Sequence, residues 1–202
     1  TSKDVDVYLN PRLPRDFPDP FSLQGMKEFA AYMADAIMGG KKIAAFCDFD
    51  VDGSTSAAVL KKFFRHLGQD IRVYIPDRMT EGYGPNAKAL HTLKSEGADI
   101  VVMADCGTTA FDVIAQGRGF GLDICVIDHH EAEDRLPDAN HLINPKRKDD
   151  TSNLDMLAAV GVTFLCCVAI NTALRERKYY ETNGLTEPPL KNWLDLVGLG
   201  TV

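Results

Sequence analysis

Residues 42–53 read "KIAAFCDFDVDG". The first half is a short apolar run with no polar alternation, the pattern of a strand buried on both faces. The second half places Asp48, Asp50 and Asp52 at alternate positions and closes on Gly53. Carboxylates packed this closely repel one another unless something cationic compensates. The stretch that follows, "STSAAVLKKFFRHLG", reads as an amphipathic helix ended by Gly68. A strand, an acidic turn and a helix open a βαβ unit. The N–H groups at the start of the helix, around Gly53 and Ser54, suit a phosphate oxygen.

The same alternation continues along the chain. "IRVYI", "DIVVMA", "DICVI" and "HLIN" read as strands, and "PNAKALHTLKSEG" and "TTAFDVIAQG" as helices. Before them, Ser22 is the expected cap of a helix running to about Met38, and the Pro-rich opening "NPRLPRDFPDPF" is expected to lack regular structure. From Met156 to Tyr180 one long helix is expected, apolar in its first half, and "PPLKNWLDLVGLG" reads as a last helix. Together these predict an α/β fold, a mostly parallel five-stranded sheet with helices on both faces, followed by a long C-terminal helix. The expected divisions are an extension over 1–22, an α/β core over 23–155 and a helical part over 156–202.

Ligands of open parallel sheets bind at the carboxyl ends of the strands. Asp105 follows "DIVVMA", and Asp128-His129-His130 follows "DICVI". Three strands thus deliver carboxylates or imidazoles to one sheet edge. This donor set suits Mn²⁺, Mg²⁺, Fe²⁺ or Zn²⁺. Five or six ligands exceed the need of one ion; two ions roughly 3.5–4 Å apart, sharing a carboxylate, would use them and could ionise a water and clamp the oxygens at phosphorus. A calcium loop starting at Asp48 would need a bidentate Glu at its twelfth position, where Val59 stands. A phosphatase with an Asp nucleophile in a DxDGT-like motif would leave "DHH" without a role. Helix capping accounts for Asp50 alone, and not for three clusters.

In this order, "DFDVDG", "ADCG" and "DHH" resemble the DHH phosphoesterase superfamily. "IPDRMTEGYGPN", "INPKRKDD" followed by "LAAVGVTFL", and the final "LDLVGLGTV" resemble its RecJ-type branch, from about Tyr8 to Val202. That resemblance implies a 5′→3′ exonuclease of single-stranded DNA, releasing 5′-mononucleotides in recombination and repair. The implied cofactors are two Mn²⁺ or Mg²⁺ ions, and the implied setting is the cytoplasm, as a monomer with a single-strand-binding protein as partner. Asp50 and Asp52 would each bind one ion, with Asp48 a ligand or a support behind them. Asp105 would bridge, His129 would ligate, His130 would ligate or contact the scissile phosphate, and Asp128 would orient a histidine. Arg78 would hold a DNA phosphate, and Tyr83 would stack on a base. Lys146 and Arg147 add a salt-sensitive DNA contact, against the alternative of a solvated loop. A further metal-binding Asp and a DHH-associated domain are expected beyond Val202, so residues 1–202 alone are expected to cut weakly. Two other functions fit the fold: a phosphoesterase of oligoribonucleotides or small nucleotides, and a non-catalytic replication module, which would have lost its ligands.

The bulk composition is compatible with this. A net charge of −7 argues against a general basic coat for nucleic acid, though not against acids gathered at a metal site. The five cysteines match no zinc spacing and read as buried thiols of a reducing compartment; Cys106, beside Asp105, reads as packing. No apolar run is expected to reach the roughly 18 residues of a bilayer span.

Overall fold

The computed structural model describes residues 9, 10, 12–82 and 84–202. A short helix α1 (Leu13–Asp16) and a 3₁₀ turn (Pro20–Ser22) occupy the Pro-rich opening, so the expectation of no regular structure there is corrected. Proline at the start of a turn loses no hydrogen bond, because that N–H has no partner in any case. Ser22 belongs to this 3₁₀ turn. The first long helix, α2 (Met26–Met38), starts instead from Gly25, whose φ of 76° a side chain would disfavour.

Then follow β1 (Ile43–Cys47), α3 (Val51–His66), β2 (Arg72–Tyr74), α4 (Arg78–Glu81), α5 (Ala87–Ser95), β3 (Ile100–Ala104), α6 (Phe111–Gly119), β4 (Asp123–Ile127) and β5 (His141–Ile143). The strands form one sheet in the order β2-β1-β3-β4-β5, every pair parallel. β1 and β3 are neighbours, yet the chain visits β2 on the far side of β1 between them. The order therefore reverses between β1 and β3, where open sheets leave a crevice for ligands.

The residues of β1 and β3 alternate between two cores, one on each face of the sheet. Ala45, Cys47, Val102 and Ala104 face the larger core, with Phe29, Phe63 and Phe64. Ala44, Phe46, Val101 and Met103 face the smaller one, with Leu90, Leu93 and Ile114. Burial on both sides explains why these strands lack polar alternation.

The chain closes with α7 (Ala159–Glu176), α8 (Tyr179–Asn183), a 3₁₀ turn (Leu190–Trp193) and α9 (Leu194–Thr201). The single long helix expected to reach Tyr180 is broken at Lys178, whose backbone is left-handed at φ 56°. At 18 residues, α7 meets the length and apolarity of a membrane span, contrary to the expectation that no run would; 72% of it is buried against the protein's own core. Such a helix, apolar almost all round, is a core helix. It packs on α2 and α3.

Candidate metal centre

The register of the sheet assembles the site. Cys47, Ala104, Ile127 and Ile143 are successive partners across β1, β3, β4 and β5. The next residue of each strand is Asp48, Asp105, Asp128 and Asn144. The ladder runs one rung further through them: Asp48 N–H donates to Ala104 O at 3.3 Å, Asp105 N–H to Ile127 O at 2.9 Å and Asp128 N–H to Ile143 O at 3.0 Å. Three carboxylates and one amide therefore stand level at the carboxyl edge, all four buried.

Carboxylate oxygens of Asp48, Asp50 and Asp105 lie within 4.8 Å of one another, and so do ligand atoms of Asp105, His129 and His130. Asp105 is common to both groups. Its backbone is left-handed at φ 62°, an uncommon conformation for a residue with a Cβ. Its Oδ1 is buried and accepts no hydrogen bond among the described residues. Burial pushes the Asp105 carboxyl up to about 6, and the charges of Asp52 and Asp50 add to that rise against an opposing contribution from His129. A buried acceptor without a donor, among like charges, is the environment a cation relieves.

His129 supports the same reading. Its Nδ1 lies 3.1 Å from the Leu157 carbonyl, which can only accept, so Nδ1 carries the proton. In the neutral ring Nε2 then presents a lone pair to Asp105 Oδ1 at 3.4 Å and Asp52 Oδ2 at 3.5 Å. Three acceptors converging on one space need a proton or a metal ion between them. The Asp105 contact raises the His129 pKa, against the pull of burial, so proton and metal compete there.

His130 differs. Its Nδ1 is 2.7 Å from Asp128 Oδ1, an oxygen that also accepts the backbone N–H of His129 at 2.8 Å. Thr108 N–H donates to the other Asp128 oxygen at 2.9 Å. Burial pushes the Asp128 carboxyl up, but the bonds from His130 and Thr108 outweigh it and hold it below the ordinary range. The Asp128 bond raises His130 to about 9. Asn144 completes the frame, donating to Thr108 Oγ1 at 2.9 Å and to the His130 carbonyl at 2.8 Å. Asn144 and Thr108 escaped the sequence reading. The signal available was position: Asn144 follows "HLI" as Asp105 follows "IVVMA".

The other expected residues fall as follows. Asp50 is the N-cap of α3, its Oδ1 accepting from Gly53 N–H at 3.0 Å. Ser54 N–H donates to the Asp50 carbonyl at 2.9 Å, and the Ser54 hydroxyl lies 3.4 Å from the Phe49 carbonyl. The N–H groups of Gly53 and Ser54 are thus engaged within the turn, which corrects the expectation that they are free for phosphate. Gly53 has another reason: a Cβ there would lie 2.3 Å from the Asp48 carbonyl oxygen. Asp52 reaches away from its own helix. Its Oδ2 accepts from Ala159 N–H at 2.8 Å and its Oδ1 from Val160 N–H at 2.7 Å, so it caps α7.

The Arg78 guanidinium lies 5.1 Å from the centre of the Phe49 ring, close to the acidic turn. Lys146 pairs with Glu131 at 3.2 Å. Arg147 is bound to Asp149 at 2.7 and 2.9 Å and to the Leu142 carbonyl at 2.6 Å, so it braces its own loop, and its proposed DNA contact is not supported by this geometry. Tyr83 lies outside the described residues. Cys106 is buried and its thiol is pushed well up by that burial, consistent with packing.

Residues 42–201 match the DHH family, N-terminal domain. The single-stranded-DNA-specific exonuclease RecJ of Bacillus subtilis (strain 168) is 34% identical over 202 residues, 100% of this chain and 24% of that protein. A crystal structure of exonuclease RecJ bound to manganese has a TM-score of 0.72 at 31% identity, covering 89% of this chain and 43% of that one. RecJ in complex with Mn²⁺ from Thermus thermophilus has a TM-score of 0.67 at 28% identity, covering 89% of this chain and 24% of that one. The chain spans between 24% and 31% of the length of the first curated relatives it matches. The family match takes in all the strand-end acids and both histidines, and the chain belongs to the DHH family.

Proposed function

We propose that this chain is the catalytic core of a metal-dependent phosphodiesterase that degrades single-stranded DNA from the 5′ end, releasing 5′-mononucleotides in DNA recombination and repair. The observation that carries the reading is Asp105, shared between two donor groups and holding a buried oxygen with no hydrogen-bond donor among the described residues. Similarity to RecJ proteins bound to manganese supports a divalent ion, Mn²⁺ or Mg²⁺, and single-stranded DNA as the substrate.

Asp48, Asp50 and Asp105 would hold one ion, and Asp105, His129 and Asp52 the other. Ions bound there lower the pKa of water and neutralise charge developing on phosphoryl oxygens. The protein's own groups supply the rest. Asp105 is fixed by its ladder bond, and His129 by Leu157. His130, cationic at neutral pH through Asp128, is suited to donate to a phosphate oxygen, a role that fits its charge better than ligation does. Arg78, held over Phe49, and Lys146 would contact DNA phosphates. Nothing in the reading requires more than one copy of the chain, and a single-strand-binding partner is proposed only through the family.

The test is digestion of 5′-labelled and 3′-labelled single strands with Mn²⁺, using the full-length protein alongside residues 1–202. Release of labelled mononucleotide from the 5′ end is expected. Attack from the 3′ end, or activity on RNA alone, would refute the assignment.

A further inference from the structure

Two site residues are held from outside the strand ends. Ala159 and Val160 donate their backbone N–H groups to the two oxygens of Asp52, at 2.8 and 2.7 Å. The Leu157 carbonyl lies 3.1 Å from Nδ1 of His129. These partners belong to four consecutive residues at the start of α7, far along the chain from either side chain they hold. The helix has no cap of its own, since its N-cap is Ala158. The carboxylate that performs the capping lies 3.5 Å from the His129 ring nitrogen facing the site.

We propose that Leu157–Val160 is a positioning element of the metal centre, in which two N–H groups aim Asp52 and one carbonyl fixes the His129 tautomer, so that docking of α7 sets the affinity for a divalent cation. This rests on the reading of the site as a metal centre. Both oxygens of Asp52 are held before an ion arrives, and His129 Nε2 is left as the free nitrogen. An ion therefore meets oriented ligands and orders little on binding. The coupling is reciprocal: if docking of α7 tightens metal binding, metal must tighten docking of α7 by the same factor. A cap with no further role would stabilise the helix and leave metal affinity alone.

Ala159→Pro separates these cases. Ala159 is the first residue of α7, a position where proline fits, and Ala158 is already extended at φ −68° and ψ 161°, as the residue before proline must be. The substitution removes one donor to Asp52. The expected result, in a variant that still folds, is an Mn²⁺ affinity lower by about tenfold, as found when partners behind metal ligands are removed. Free Mn²⁺ is counted by electron paramagnetic resonance. Unchanged affinity in a folded variant overturns the proposal. Ala159 is fully buried, so a proline ring can prevent folding. In that event hydrogen exchange on the unmodified chain decides. Mn²⁺ should slow exchange in residues 157–163 by about the same factor, and leave α5 on the other face of the sheet unaffected. Equal exchange with and without Mn²⁺ overturns the proposal. A chain that takes up no Mn²⁺ at all overturns the metal reading itself, a distinct failure.

Discussion

Asp105 combines a left-handed backbone, near-complete burial and an oxygen without a donor, and each has a measurable consequence. Its pKa is raised from 3.8 to about 6, so the protonated form favours the fold. Without metal, that contribution is present below 3.8 and is lost as pH climbs through about 6. Asp105→Asn is the informative change, because asparagine tolerates the left-handed backbone. We expect it to abolish Mn²⁺ uptake and yet stabilise the metal-free protein at pH 7 by roughly 1–3 kcal/mol, read by urea unfolding. His130 behaves oppositely on the alkaline side. Its folded pKa is raised to about 9 from 6.5, so its stabilisation is complete below 6.5 and disappears as pH rises through about 9. His130→Gln should flatten that alkaline limb in denaturation curves taken from pH 6 to 10. The acids themselves were legible in the sequence, since strand-end carboxylates stand out against apolar runs. What Asp52 grips was not, because its partners are backbone N–H groups that any residue except proline carries. Asn144 and Thr108 were hidden for a similar reason: they hold groups of the site and bear no charge.

At the scale of elements, the turn from β1 into α3 is the tightest joint in the site. A Cβ on Gly53 would lie 2.3 Å from a backbone oxygen that cannot move without moving Asp48. Gly53→Ala should therefore destabilise by about 3 kcal/mol or more and weaken Mn²⁺ binding as well, measured by melting and by titration. Thr163 offers the reverse case in α7. Its hydroxyl is fully buried with no hydrogen-bond partner among the described residues. Thr163→Val keeps the shape and removes the orphan group, so a gain of about 1 kcal/mol in thermal unfolding is expected. The strands and most helices were legible from apolar periodicity. Helix starts were less so. α3 begins at Val51 inside the acidic motif, and α2 begins at Met26, behind Gly25, after Ser22 is taken by a 3₁₀ turn. Asp50 caps α3 as its composition allows, whereas at α2 backbone geometry decided the start and cap composition did not predict it.

For the whole molecule, the sheet order places β1 and β3 side by side across the reversal, and α7 covers the larger core beneath them. A cation that binds the folded chain and not the unfolded one must stabilise it by mass action. Mn²⁺ at about a hundred times its dissociation constant should add roughly 2.7 kcal/mol, and a chelator should reverse the shift in melting temperature. No shift at millimolar Mn²⁺ would count against a metal centre in residues 1–202. The parallel α/β class followed from the alternation of strands and helices; the strand order and the shared rung at the carboxyl edge required the pairing register, which no single strand reveals. The bond from Asp52 to α7 also bears on protein design. Anyone transplanting "DFDVDG" into another α/β scaffold would carry over three carboxylates and lose the helix that aims one of them. The motif is not a portable cassette: its smallest transferable unit includes a piece of chain more than one hundred positions away.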